Sequence, residues 1–140
     1  MLINKDILYF NLDKMEKNEA IKFAGEKLLE HGLIEPEYID SMLEKEKTDQ
    51  TYIGNNVAIP HGTLDGKKYV KSSGIVILHF RDKIDYSGKE ANIIIGIAGK
   101  DGEHLQLLSE IAITLSSQDK VNELINSNSV DEFIEIFQSK

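Results

Sequence analysis

The chain has 140 residues, 41% of them apolar, no cysteine and a formal net charge of −8. That length suits a single domain, residues 1–140, able to bury roughly two-thirds of its unfolded surface. The missing cysteines exclude disulfides and thiolate metal sites, and the acidic balance excludes nucleic acid, whose phosphates demand a basic face.

No apolar run approaches the ~20 residues that cross a bilayer, so no direct membrane insertion is expected. The opening Met1–Asp6 lacks the charge and hydrophobic block of a signal peptide, which reads as cytoplasmic. Charge is unevenly placed. Residues 51–100 carry seven basic and four acidic side chains, while both flanking segments are strongly acidic. Lys67, Lys68 and Lys71 lie in that positive third, a mild preference for an anion or simply a solvated lysine-rich edge.

In chain order, Ile7-Leu8-Tyr9-Phe10 suits a short edge strand. A helix is expected from about Glu16, with Ile21, Ala24 and Leu28 at spacings of three and four. Gly32 stops it, and His31 in its last turn reads as a capping or solvent-facing residue. Pro36 fits the first turn of a second helix, which carries Tyr38, Ile39, Met42 and Leu43 to about Lys47. Thr51–Ile59 reads as loop and then strand, punctuated by Gly54-Asn55-Asn56.

A short helix is expected over Leu64–Lys71, and buried strands over Ile75–Phe80 and Ala91–Ala98. Arg81–Lys89 between those strands reads as a polar connection turning at Ser87-Gly88. After the turn Gly99–Gly102 comes a long helix, with Leu105, Leu108, Ile111, Ala112 and Leu115 expected inward. Asp119 is positioned to cap a short helix, and Ser129 with Glu132 forms a capping-box pattern for the last. Strands interleaved with helices predict an α/β fold, one mixed parallel/antiparallel sheet covered by helices on both faces.

Of the four histidines, His79 alternates with Ile75 and Ile77 and reads as a satisfied or edge histidine. His61 differs. Val57-Ala58-Ile59 runs into Pro60, which ends a strand, and Gly62 follows, so Pro-His-Gly presents an imidazole at a strand end with no packing purpose. Such a ring can be a base, a ligand or a nucleophile. His104 follows the other glycine-rich turn, in the first turn of a helix whose dipole and free amides suit an anion. Both lie where strands of an α/β sheet place ligand sites. His-Glu-x-x-His, Gly-x-Ser-x-Gly, a phosphate loop and a dinucleotide fingerprint are all absent. Histidine as nucleophile or base beside a phosphoryl-binding helix start is what remains, with no metal and no cofactor called for.

The run Gly54-x-x-Val57-Ala58-Ile59-Pro60-His61-Gly62, with Glu46 upstream, resembles the phosphorylation-site signature of the mannitol/fructose class of enzyme IIA, from the bacterial phosphoenolpyruvate-dependent sugar phosphotransferase system. Glu103-His104-Leu105-Gln106-Leu107-Leu108 resembles that class's second-histidine helix. Asn18–Glu26, Glu35-Pro36-Glu37-Tyr38 and Thr51-Tyr52-Ile53-Gly54 are similar to the mannitol-specific branch.

The resemblance implies a phosphocarrier that takes a phosphoryl group from phosphorylated HPr on Nε2 of His61. It would pass the group to the cysteine of a mannitol IIB component, with His104 orienting or stabilising it and Gly62 and Thr63 as further phosphate contacts. A fructose-type or other polyol IIA, a regulatory paralogue that binds protein targets, and an idle binding module are the alternatives. Lys45 stands where that branch carries an arginine; an ammonium lacks the planar fork, so Lys45 is not counted as a phosphate ligand.

Overall fold

The structure, a computed structural model, describes residues 1–139. Among them five strands form one sheet: β1 (Leu8–Tyr9), β2 (Tyr52–Gly54), β3 (Val57–Ala58), β4 (Gly74–Tyr86) and β5 (Lys89–Ala98). Their spatial order is β1-β4-β5-β3-β2. The pairs β1/β4 and β3/β5 are parallel, whereas β4/β5 and β2/β3 are antiparallel, the mixed sheet expected from the sequence.

Helices α1 (Lys17–Glu30) and α2 (Glu37–Thr48) cover one face. The other carries α3 (Glu103–Thr114), α4 (Gln118–Ile125) and α5 (Val130–Gln138). The alternation along β5 divides the core. Ile94 and Ala98 pack with Ala20, Ile21, Leu28 and Met42, and Ile93, Ile95 and Ile97 pack with Ile111, Leu115, Phe133 and Phe137. Burying each of these large side chains contributes roughly 1.5–3 kcal/mol.

Five sequence expectations need correction. Arg81–Lys89 is not a connection: β4 continues to Tyr86 with a register shift between His79 and Ile84, then turns into β5. Ile84 and Tyr86 are buried while Asp85 is exposed, so this is an amphipathic strand whose charges face solvent. Thr51–Ile59 holds a hairpin rather than a loop and one strand; Asn55 and Asn56 turn it at φ 53° and 67°, angles asparagine tolerates.

On α3, Ile111 and Leu115 are buried, but Leu105 is 69% exposed and Ala112 is exposed too. Apolar residues at 105, 107, 108, 111, 112, 113 and 115 wrap too wide an arc for periodicity to choose a face. Finally, α4 is capped by Ser117, whose hydroxyl accepts the Lys120 amide, not by Asp119. The expected helix over Leu64–Lys71 is a single 3-10 stretch, Asp65–Tyr69. The Ser129 cap forms as predicted, accepting from the Glu132 amide.

Candidate functional site

Beyond β3 the chain stays beside β5. The Ile97 amide donates to the Pro60 carbonyl at 3.0 Å, and His61 bridges Ile97 in parallel register. Proline thus ends the regular ladder without releasing the chain, and His61 sits half-buried at the sheet edge. Its Nδ1 lies 2.8 Å from the Ile59 carbonyl. A carbonyl can only accept, so Nδ1 carries the proton and Nε2 of the neutral ring keeps its lone pair. Among the described residues Nε2 has no hydrogen-bond partner, and it is not sealed from solvent.

His104 comes from the second residue of α3, and its ring centroid lies 5.0 Å from that of His61 at 61°. Two features place it there. Gly102 opens the helix at φ 52°, and a Cβ on Gly99 would lie 2.5 Å from His104 Cα and 2.7 Å from its Cβ. No side chain caps α3, while the amides of Glu103 and His104 fold back on the Lys100 carbonyl. The start of α3, with the positive end of its dipole, thus lies at the imidazole pair, although these two amides are engaged by the chain itself rather than free as the sequence suggested.

Burial is the main reason that the His61 pKa falls below the usual 6.5; the Ile59 hydrogen bond opposes it, Lys45 lowers it further and Glu46 raises it. His104 is pushed down to about 4, first by burial, then by His61, Lys67 and Lys45. Both rings are neutral near pH 7, which leaves a nucleophilic nitrogen on His61.

Tyr38 organises the turn. Its hydroxyl donates to the Ile97 carbonyl at 2.8 Å and accepts the Gly62 amide at 2.9 Å. Buried there, the phenol is pushed up to about 12. The sequence places Tyr38 on the apolar side of α2, and only the fold reveals its polar tip. Gly62 packs closely on α2: a Cβ would meet Ser41 Oγ and, at 2.5 Å, Tyr38 Cε1. Thr63 Oγ1 accepts the Gly66 amide at 3.1 Å and keeps its own proton.

Glu46 is buried on the inner side of α2. It accepts from Thr51 Oγ1 at 2.8 Å and pairs with Lys17 at 3.3 Å, tying α2 to the start of the hairpin. Lys45, set aside on sequence grounds, is mostly covered and pairs with Asp49 at 3.2 Å, yet its charge reaches both imidazoles. Lys67 was visible only as part of a lysine-rich segment. Among the described residues no cluster of three or more His, Cys, Asp or Glu side chains is arranged to hold a metal, and no helix is long and apolar enough to cross a membrane.

A paired imidazole site with one open nitrogen at a helix start is suited to carrying a phosphoryl group, and comparison with known proteins agrees in kind. The mannitol-specific phosphotransferase enzyme IIA component of Halalkalibacterium halodurans is 43% identical over 133 residues, 95% of this chain and 92% of that protein. The crystal structure of IIA mannitol from Escherichia coli superposes with a TM-score of 0.90 at 32% identity, covering 98% and 99% of the two chains. A complex of enzyme IIAMTL and phosphorylated enzyme IIBMTL from Escherichia coli matches with a TM-score of 0.89 at 32% identity, covering 96% of each chain. A family model described as phosphoenolpyruvate-dependent sugar phosphotransferase system, EIIA 2, matches residues 1–140. The chain is therefore a member of the EIIA 2 family of the phosphoenolpyruvate-dependent sugar phosphotransferase system, whose enzymes IIA are phosphotransferases.

Proposed function

We propose that this protein accepts a phosphoryl group from phosphorylated HPr on Nε2 of His61 and delivers it to the cysteine of a mannitol-specific IIB component, in support of mannitol uptake. The observation that carries the reading is the His61 ring: Nδ1–H is held by the Ile59 carbonyl at 2.8 Å while Nε2 is open beside His104. The mannitol assignment draws on the full-length relatives named above.

In the first step the Nε2 lone pair attacks phosphorus as the N–P bond of the donor histidine breaks, and that bond's electron pair returns to the donor imidazole. No proton moves at His61. Positive charge developing on its ring is met by the Ile59 carbonyl, and negative charge on the equatorial oxygens by the α3 dipole and His104. In the second step the IIB thiolate sulfur attacks phosphorus and Nε2 recovers its pair. Thr63 keeps a hydroxyl proton for a phosphoryl oxygen. Gly62, its amide engaged by Tyr38, serves by letting the turn close on α2. Leu64 and Leu105, 80% and 69% exposed and close in sequence to the two histidines, supply an apolar rim for the partner proteins.

The test is incubation with phosphoenolpyruvate, enzyme I and HPr. The expected product is phosphate bound to His61 that is lost in acid and survives base, and that moves onward to mannitol IIB. Onward transfer only to a fructose IIB, or to none, would instead favour a different sugar branch or a regulatory paralogue. No uptake from HPr would leave an idle binding module.

A further inference from the structure

Among the described residues two lysines act on the imidazoles through their charge, Lys45 on both and Lys67 on His104, and their surroundings differ. Lys45 is engaged by Asp49 at 3.2 Å. Lys67 is half-buried, and among the described residues its ammonium has neither a carboxylate within 4 Å nor a hydrogen-bond acceptor. Its neighbour Lys68 is exposed and lies over the Tyr69 ring, 5.3 Å from the centroid.

The backbone beneath Lys67 is tightly held. The Gly66 amide donates to Thr63 Oγ1, and a Cβ at Gly66 would run into Ser41 Oγ and, at 2.6 Å, Ser41 Cβ. The far end of the 3-10 turn is tied to the α1–α2 connection: Glu35 donates to the Tyr69 carbonyl at 2.8 Å, and Lys71 to the Leu33 carbonyl at 2.7 Å. Ser41 is also what a Cβ at Gly62 would strike, so one α2 side chain abuts both the His61 turn and the Lys67 turn. Lys45 lies one helical turn beyond Ser41 on the same face of α2. The His61 turn, the 3-10 turn and this face of α2 therefore converge, with Lys67 on the segment fastened between them.

We propose that Lys67 supplies the cation that binds the phosphoryl oxygens on His61, stabilising both the transfer and the phosphorylated state, while Lys45 remains engaged by Asp49. This rests on the phosphoryl-relay reading above. A dianionic group on Nε2 needs a counter-charge beyond the α3 dipole and a neutral His104, and an ammonium carried by a tethered backbone segment, with no competing carboxylate to leave, meets that need. The depressed His104 pKa agrees, since Lys67 precedes Lys45 among its causes; at the unphosphorylated His61 it is Lys45 that is felt, so Lys67 lies on the His104 side of the pair.

The experiment uses the full chain as wild type, Lys67→Met, Lys67→Arg and, as control, Lys68→Met. Phosphoryl uptake from HPr should fall on the order of 10-fold to 100-fold in Lys67→Met, less than for a fully buried donor because Lys67 is partly solvated. Lys67→Arg should recover most of it, and Lys68→Met should match wild type. Two readouts separate a charge effect from misfolding. Phosphorus NMR should place the second ionisation of the phosphohistidine at higher pH in Lys67→Met, and proton NMR should show His104 titrating higher in the unphosphorylated variant. If the wild type is phosphorylated and Lys67→Met matches it in rate and in both titrations, this assignment is overturned and the relay reading stands. If the wild type takes no phosphoryl group at all, both fall together.

Discussion

His61 and His79 belong to the same sheet, are both drawn out of water and both titrate below the ordinary imidazole value, mainly through burial. Their second nitrogens separate them. His79, fully buried on β4, accepts the Asn11 amide on Nδ1 at 2.9 Å and donates from Nε2 to the Ile125 carbonyl at 3.0 Å. Its ring stacks on Phe10 at 4.3 Å and meets Phe133 edge-on. It fastens the N-terminal segment to the α4–α5 turn, and nothing is left for a ligand. His61 makes one such bond and stops. A lowered pKa therefore does not distinguish a reactive imidazole from a structural one; the unfilled hydrogen-bonding position does.

The sharpest way to break this contrast is to exchange the losses. His61→Ala should abolish phosphoryl uptake, at least ~10³-fold, because no other nitrogen nucleophile stands in the turn, with stability changed by no more than about 1 kcal/mol. His79→Ala should do the reverse. It should lower stability by about 2–4 kcal/mol in urea unfolding, through the cavity and two orphaned backbone groups, and leave uptake per folded molecule unchanged. Uptake by His61→Ala at the wild-type rate would end the contrast.

His104 tests whether the open nitrogen needs its neighbour. His104→Gln keeps a hydrogen-bond donor but cannot carry a proton, so uptake should survive with transfer slowed about 10-fold to 100-fold. Stable phosphate mapped to His104 of the wild type would reverse the two roles. The rims differ as well, since aromatic packing seals His79 while Leu105 stands exposed beside His104. Leu105→Asp should weaken docking by about 1–2 kcal/mol, raising the KM for HPr roughly 5-fold to 30-fold at unchanged kcat. An unaltered KM would remove Leu105 from the docking surface.

The smallest effect is on pH. His61, His79 and His104 each bind a proton less readily folded than unfolded, so the unfolded chain protonates first as the pH falls. Stability is then complete above the ordinary value of 6.5 and declines below it, down to about 4 for His104. Arg81 adds to the effect at His79 by disfavouring a second positive charge. Thermal unfolding between pH 7.5 and 5.5, above most carboxylate titration, should show a falling Tm. In His79→Gln the decline should be shallower, although the variant starts lower. An equal decline would mean that His79 is protonated as readily in the fold as in the unfolded chain.

Local chemistry alone determined much of this protein. The stripes of α1 and α2, the apolar runs at the centres of β4 and β5, and the caps at Gly32 and Ser129 are written in residues a few positions apart, because helix and strand periods are local. The Pro60-His61-Gly62 turn and the His104 helix start were legible for the same reason. Tertiary structure decided what depends on distant neighbours. Whether Arg81–Tyr86 continues a strand depends on β5 lying alongside, and which side of α3 is buried depends on where the sheet ends. The open nitrogen of His61, the Tyr38 bridge to Gly62 and the nearness of Lys45 and Lys67 each join elements far apart in the chain. Periodicity carries no information about such contacts, because they are made when the helices close over the sheet.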